Sequence, residues 1–309
     1  MGTKIARIAE IAKERPNEVF TSIYHLINEE LLKECHKELK GNKATGIDDV
    51  TKAEYEENLD ENIAKLHEQL ARMGYRPVPA KRIYIPKANG KLRGIAIATY
   101  EDKIVQLALK KLIEAIYEPK FPKNMYGFRP KKSCHNAVND LRKIIQFENI
   151  NYVVEADIKS YFDNINHEWL MKGLELHIKD PRVLRMVKRF LIAGIMEDGK
   201  VKSTTQGTPQ GSILSPLLAN IYMYYMLVLW FEKKVQKEFK GKCYLVNFAD
   251  DFVCCFELEE EAKIFYQVLL AERLRKFNLE LAEDKTRMIE FGKYAIAHSK
   301  RLRQENRNF

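Results

Sequence analysis

A disulfide pattern, zinc ligands, a signal peptide and a membrane span are all missing from this 309-residue sequence. The five cysteines, Cys35, Cys134, Cys243, Cys254 and Cys255, are odd in number and show no CxxC spacing. They argue against a disulfide framework and fit a reduced, intracellular setting. The seven histidines are scattered without metal-ligand spacing, so zinc is not expected. The N-terminus, Met1-Gly2-Thr3-Lys4-Ile5-Ala6-Arg7, leads into a charged helical pattern in place of a long apolar stretch, and no signal peptide is visible. One apolar run tempts a membrane reading, because no charged residue stands between Ser212 and Phe231. Ser215-Pro216, Asn220 and three tyrosines interrupt it, and the run reads as a buried core helix. Internal repeats and low-complexity linkers are absent too.

What is present is a folded, basic chain. Hydrophobic residues make up 46% of it, and 52 Lys and Arg stand against 43 Asp and Glu, a net charge of +9. The apolar fraction is ample for a core, the length suits about two domains, and wholesale disorder is excluded. The charge is concentrated. Between Arg76 and Lys132, 14 Lys and Arg face only four acids, Glu101, Asp102, Glu114 and Glu118, so the rest of the chain is nearly neutral. Such a patch points to a polyanion, with phosphate the usual partner. Composition alone does not separate this from a solvated lysine-rich face.

Helical patterns span about 17–39 and 52–73, separated by the turn-rich loop Gly41-Asn42-Lys43-Ala44-Thr45-Gly46-Ile47-Asp48. Residues 82–86 and 92–97 read as strands of a hairpin around Asn89-Gly90. Helices follow at about 101–117 and 134–147, then a short apolar strand at 152–158 and helices near 167–177 and 182–193. A small hairpin turns at Asp198-Gly199. After the uncharged helix, residues 244–248 and 252–256 form a second hairpin with Asp250-Asp251 at the turn. A helix at about 259–276 and two short strands complete the pattern. Strand, helix, hairpin, helix, strand is the order of a split βαβ sheet with helices on one face, an α+β fold.

Asp250 and Asp251 are adjacent acids in an apolar hairpin, and each repels the other unless a cation or proton neutralises them. The dipeptide alone is equally a plain turn. Asp157 changes the balance, because it ends a separate strand and could bring a third carboxylate to one sheet edge. Two Mg²⁺ ions roughly 3.5–4 Å apart on such carboxylates serve phosphoryl transfer to a 3′ hydroxyl. The basic region supplies further cations for a triphosphate.

Phe248-Ala249-Asp250-Asp251 resembles the signature tetrapeptide of reverse transcriptases, whose usual form begins with Tyr. Three further motifs agree with it in order: Asp157 with Tyr161-Phe162-Asp163-Asn164-Ile165, Thr208-Pro209-Gln210-Gly211-Ser212-Ile213-Leu214-Ser215-Pro216, and Tyr126-Gly127-Phe128-Arg129-Pro130. Over nearly its whole length the chain resembles the reverse transcriptase encoded by group II introns, the intron maturase family. The resemblance implies a right-hand polymerase with an RRM-like or ferredoxin-like palm. Fingers are expected over 1–150 with a further element at about 166–205, and palm over 151–309. The family's thumb and C-terminal nuclease domains have no counterpart, so the chain looks like a fingers and palm portion.

The same resemblance implies site residues. Asp157, Asp250 and Asp251 are the catalytic carboxylates, and with Ile158 they form the site of two Mg²⁺ ions. Lys87 and Arg93 grip the incoming triphosphate, Phe162 blocks a ribose 2′-hydroxyl by steric exclusion, Gln210 contacts the nascent pair, and Lys285 lies near the active site. Taken without the resemblance, Phe162 is a buried aromatic after a strand, and Lys285 is equally a surface turn lysine. Asn42, Lys43 and Gly46 lie over the template, Arg129 contacts template backbone or base, and Lys120, Lys123, Lys131 and Lys132 meet phosphates. Phe248 in place of Tyr removes a hydroxyl but no metal ligand.

The implied activity is RNA-directed DNA polymerisation, with group II intron RNA, an RNA template, a DNA or RNA primer and dNTPs as partners. The implied setting is the cytoplasm of a bacterium, in a ribonucleoprotein and without membrane attachment, and a homodimer is compatible with it. Two alternatives belong to other classes. A non-catalytic RNA-binding splicing cofactor keeps the basic surface but has no need of the acids, and a nucleotidyl cyclase shares the sheet but not the basic fingers. A retron-type polymerase is the nearest neighbouring reading.

Overall fold

The computed structural model describes residues 3–86, 90 and 92–291. Lys87, the hairpin loop around Asn89, and everything from Gly292 onward lie outside the described residues. Two compact units divide the chain, each made of two separate stretches: Met1–Phe121 with Phe162–Ile221, and Pro122–Tyr161 with Tyr222–Phe309. These units are defined by contacts, whereas fingers and palm are functional territories. The Cys134–Phe147 helix, expected with the fingers, falls in the second contact unit.

Eight strands stand among the described residues: β1 Ala80–Pro86, β2 Leu92–Ile97, β3 Tyr152–Asp157, β4 Ile195–Glu197, β5 Lys200–Lys202, β6 Cys243–Phe248, β7 Asp251–Phe256 and β8 Arg287–Glu290. They form two sheets, ordered β2-β1-β4-β5 in the first unit and β6-β7-β3-β8 in the second.

The first unit is organised by the Tyr100–Tyr117 helix. Thr99 caps it by accepting the Asp102 N–H. Ile104, Val105, Ala108, Leu109, Leu112, Ile113 and Ile116 then recur at helical spacing and expose no surface, each buried large aliphatic contributing about 2 kcal/mol. The helix packs on Thr3–Glu14 and Glu29–Glu38, and the Tyr117 hydroxyl donates to Gly173 O at 2.7 Å, tying in the His167–Glu175 helix.

The helix expected from about residue 17 starts only at Glu29, capped by Asn28. The preceding residues are claimed by tertiary partners. Phe20 N–H donates to His177 O and Lys179 N–H to Phe20 O, both at 2.8 Å. Ile23 and Tyr24 donate to Asp180 Oδ2 at 2.8 Å each. Asp180 also caps the Pro181–Ile192 helix through the Arg182 N–H. Burial alone pushes the Asp180 carboxyl up, but the N–H donors of Tyr24, Ile23 and Arg182 win and hold it below the usual carboxylate value.

This depressed folded value makes Asp180 a source of stability that is present above the unfolded carboxyl pKa of about 4 and is lost as pH falls through the lower folded value. Asp180→Ala leaves three N–H groups without their acceptor and is expected to cost about 3 kcal/mol. Urea denaturation at pH 7 and pH 3 checks both points: the gap between parent and variant should narrow at the lower pH. An equal gap at both would reject the charge-based account.

In the second unit β7 lies between β6 and β3, antiparallel to both, and β8 pairs antiparallel with the far side of β3. This is the expected split βαβ arrangement. Alternation along the strands gives each face its character. One face carries Val154, Ala156, Phe252, Cys254, Phe256, Cys243 and Leu245, all buried. The stretches 222–239 and 259–277 cover it through an aromatic cluster of Phe231, Phe239, Phe256 and Phe265.

The uncharged run continues from the Ser215–Met223 helix through a π-helical turn at Tyr224–Val228 and ends at Phe231, which opens a second, charged π-helical turn, Phe231–Val235. Arg273 donates to the carbonyls of Tyr225 and Met226 there, satisfying groups that the wider turn redirects. No helix among the described residues is long and apolar enough to cross a membrane. The Cys134–Phe147 helix lies on the other face, where Ala137, Leu141 and Ile144 pack with Tyr126, Val246 and Phe248.

Candidate active site

The uncovered part of that second face is a cleft of about 570 Å³, whose lining includes Asp157, Asp251, Phe248, Glu155, Lys285 and Arg287. Strand register places the acids. Asp157 stands directly opposite Asp251, and Asp251 opposite Phe248, so their side chains share the open face. Opposed residues have Cβ atoms about 5 Å apart, and like charges so placed destabilise the sheet. Desolvation by the surrounding protein, then the Asp250 and Asp157 carboxylates, push the Asp251 carboxyl above its usual value, while Lys285 pulls it back.

The hairpin turn differs by one residue from the expectation. Ala249 and Asp250 form the two-residue turn and Asp251 already begins β7. Ala249 has φ 58°, a left-handed conformation that costs a non-glycine residue about 1 kcal/mol. The turn is held from two sides. Asn247, 1% exposed, donates from Nδ2 to the carbonyls of Ala249 at 2.8 Å and Asp251 at 3.3 Å. The segment before Gly127 runs along the edge strand β6, with Tyr126 N–H on Asn247 O and Asn247 N–H on Asn124 O, both 2.9 Å. Gly127 therefore abuts the turn, and a Cβ there would meet Ala249 N at 2.2 Å.

Neither holder is marked for this role by the motifs alone. Asn247 had a readable signal, a polar residue at an inward position of an apolar strand. Gly127 stands in the Tyr126-Gly127-Phe128-Arg129-Pro130 motif, and its close approach to the turn is visible only in three dimensions.

The donor set is all oxygen, which suits a hard divalent cation. Among the described residues no three His, Cys, Asp or Glu side chains are gathered closely enough to hold a metal as they stand. Asp157 Oδ2 instead receives the Lys285 ammonium, and that contact raises the lysine's pKa. Ile158 follows Asp157 as a buried residue bridged to Leu281.

Within the first unit, Phe162 is half-buried and its carbonyl accepts the Thr208 N–H at 2.7 Å. Gln210 is half-buried too, and its carbonyl accepts the Ala96 N–H of β2 at 2.6 Å. Gln106, which carried no expectation, accepts from Ser212 Oγ and Ile213 N at 3.0 Å and anchors this loop to the Tyr100–Tyr117 helix. Arg93 is exposed on β2 opposite Ile85.

The residues expected to meet nucleic acid divide in two. Asn42, Lys43, Lys123 and Lys131 are exposed. Lys120 donates to Pro16 O at 2.6 Å, Arg129 to the carbonyls of Pro122 and Met125 at 2.6 and 2.8 Å, and Lys132 to Lys123 O at 3.2 Å while lying over the Tyr126 ring. Gly46 is buried, and a Cβ there would fall 2.6 Å from the Thr99 backbone.

Comparison with known proteins adds independent findings. A family model described as reverse transcriptase (RNA-dependent DNA polymerase) matches residues 85–306. The group II intron-encoded protein LtrA of Lactococcus lactis subsp. cremoris is 37% identical over 238 residues, covering 76% of this chain and 39% of that protein. Protein YkfC of Escherichia coli (strain K12) is 36% identical over 189 residues, 60% of this chain and 49% of that one. The chain thus spans less than half the length of these relatives. Among solved structures, a telomerase from Candida albicans in complex with a TWJ fragment of telomeric RNA matches with a TM-score of 0.51 at 13% identity, covering 81% of this chain and 49% of that one, a likeness of fold.

Proposed function

Because this chain belongs to the reverse transcriptase family, and its relatives include a group II intron-encoded protein, we propose that it is the RNA-directed DNA polymerase portion of such an intron protein. It adds deoxynucleotides to a primer 3′ end on an RNA template and binds intron RNA in support of splicing and retrohoming. The observation that carries the reading is the opposition of Asp157 and Asp251 at the open face of the cleft, with Asp250 one residue away at a constrained turn. A binding-only cofactor has no use for carboxylates placed to repel each other.

In this reading Asp157, Asp250 and Asp251, with the Ile158 backbone, would hold two Mg²⁺ ions. Bound there, the ions activate the primer hydroxyl and stabilise the leaving pyrophosphate. Lys87 and Arg93 hold the triphosphate, Lys285 adds a cation at the cleft, Phe162 excludes a ribose 2′-hydroxyl, and Gln210 contacts the nascent pair. The exposed Asn42, Lys43, Lys123 and Lys131 track the template phosphates. Lys120, Arg129, Lys132 and the close-packed Gly46 shape the loops that carry them. Fingers over 1–150 with 166–205, and palm over 151–309, remain the functional territories.

The test is primer extension with dNTPs on matched RNA and DNA templates. Extension on RNA should appear with Mg²⁺, vanish with a chelator, and weaken steeply as salt rises, because phosphate contacts release counterions. A purified, folded chain that extends no primer on either template would sink the proposal.

A further inference from the structure

At the outer edge of the second unit's sheet, the pairing of β8 with β3 stops short of the carboxylate. It runs from Tyr152 opposite Glu290 to Glu155 opposite Arg287. It resumes at the bridge between Ile158 and Leu281, with the Ala282 N–H on Asp157 O and the Lys159 N–H on Glu280 O, both at 2.9 Å. Between these stretches residues 282–286 face only Ala156 and Asp157, and the surplus is thrown out as the turn Glu283–Lys285. The turn is pinned at both ends. Lys285 N–H and Thr286 Oγ1 both donate to Ala282 O, at 3.0 and 2.8 Å, and Tyr266 donates to Thr286 O. Extra residues at a sheet edge beside a functional site serve to re-aim a side chain.

The side chain re-aimed is that of Lys285, whose ammonium pairs with Asp157 Oδ2. The two partners are unequal. The Asp157 side chain is 11% exposed and that of Lys285 62%, so the carboxylate is fixed and the ammonium is the member free to leave. Arg287, the other cation of the cleft, is committed elsewhere: its Nε and Nη2 lie 2.8 and 2.7 Å from Glu155 Oε2. Lys285 is thus the cleft cation in contact with the carboxylate that a metal needs.

We infer that Lys285 and a divalent cation compete for Asp157 Oδ2, so that metal loading and release of the lysine ammonium into the cleft are one coupled event. The inference rests on the metal-site reading proposed above and adds an order to it. The lysine neutralises Asp157 until a metal arrives, and the ammonium then faces the cleft with its three donors available to a polyphosphate. Coupling of this kind is reciprocal: whatever draws Lys285 away from Asp157 also favours the metal.

The experiment is a Mn²⁺ titration of the whole chain, with free Mn²⁺ followed by electron paramagnetic resonance and folding checked by circular dichroism. Lys285→Gln should tighten Mn²⁺ binding roughly two- to five-fold, the range open to a solvent-exposed ion pair. Lys159→Gln removes the same charge from nearby without freeing Asp157 and should change affinity less. Asp157→Asn should abolish the tight site. If binding depends on Asp157 but Lys285→Gln leaves it unchanged, weakens it, or tightens it no more than Lys159→Gln, competition is overturned while the metal site stands. If Asp157→Asn does not alter binding, or the parent binds no Mn²⁺, the metal-site reading fails and takes the inference with it.

Discussion

The Asp250→Asn variant is expected to lose primer extension by about a thousand-fold or more while keeping its fold. Asparagine matches the size of aspartate but carries no charge, and Asp250 sits in a two-residue turn, outside the core. Charge stabilisation by metal ions is worth several kcal/mol, and each 1.4 kcal/mol is about ten-fold in rate. The same substitution should leave stability unchanged or slightly higher. Asp250 is one of the charges that hold the Asp251 carboxyl above its usual value, and removing it relieves that repulsion. A large loss of rate without loss of stability is the signature of a site that sacrifices stability for function. Single-nucleotide incorporation and thermal melting measure the two halves. A variant that extends at the parent's rate rules out the carboxylate role.

Gly127→Ala comes second, with an expected loss of about a hundred-fold, the scale set by an ångström of misplacement at a reacting centre. The added methyl would lie 2.2 Å from Ala249 N and 2.9 Å from Ala249 Cβ. Backbone cannot swing aside as a lysine end can, so the turn carrying Asp250 must shift. A stability cost of about 1–3 kcal/mol should accompany it. Ala249→Gly in the same chain removes the methyl contact but not the backbone one, and should restore activity in part. If Gly127→Ala alone behaves as the parent, the segment before it does not hold the turn.

The parts of this molecule that can be read in its sequence are those fixed by local chemistry. The alternation of Tyr152–Asp157 and of the second hairpin marks these strands and their acidic ends from neighbouring residues alone, whereas the pairing that sets Asp157 opposite Asp251 is made across the chain. The Tyr100–Tyr117 helix is equally plain from its apolar spacing. The unreadable parts depend on partners far away in the chain. Residues 17–28 have a helical pattern, yet Asp180 and His177 draw their backbone out of it. Gln106 looks like one polar residue on a buried helix until the loop at 212–213 comes to it. Lys285 reads as a surface turn lysine because the count of residues facing Ala156 and Asp157 cannot be made before the strands are paired.

The interleaving of the two units has a consequence for how this chain is made. Neither unit is a continuous piece of the gene. The first lacks its Asp180 anchor until synthesis has passed residue 180 and its Gln210 loop until it has passed 210, and the second lacks its full set of β6, β7 and β8 until synthesis nears residue 290. The Tyr100–Tyr117 helix finds the earlier helices Thr3–Glu14 and Glu29–Glu38 at once, but β3 is an apolar strand waiting for β7 and β8 through nearly half of translation. Contacts this distant in sequence close slowly. A clone cut at residue 161 severs both units at once, whereas a cut at 121 severs only the first. Expression as two fragments divided at residue 161 should give less soluble material than expression of the continuous chain.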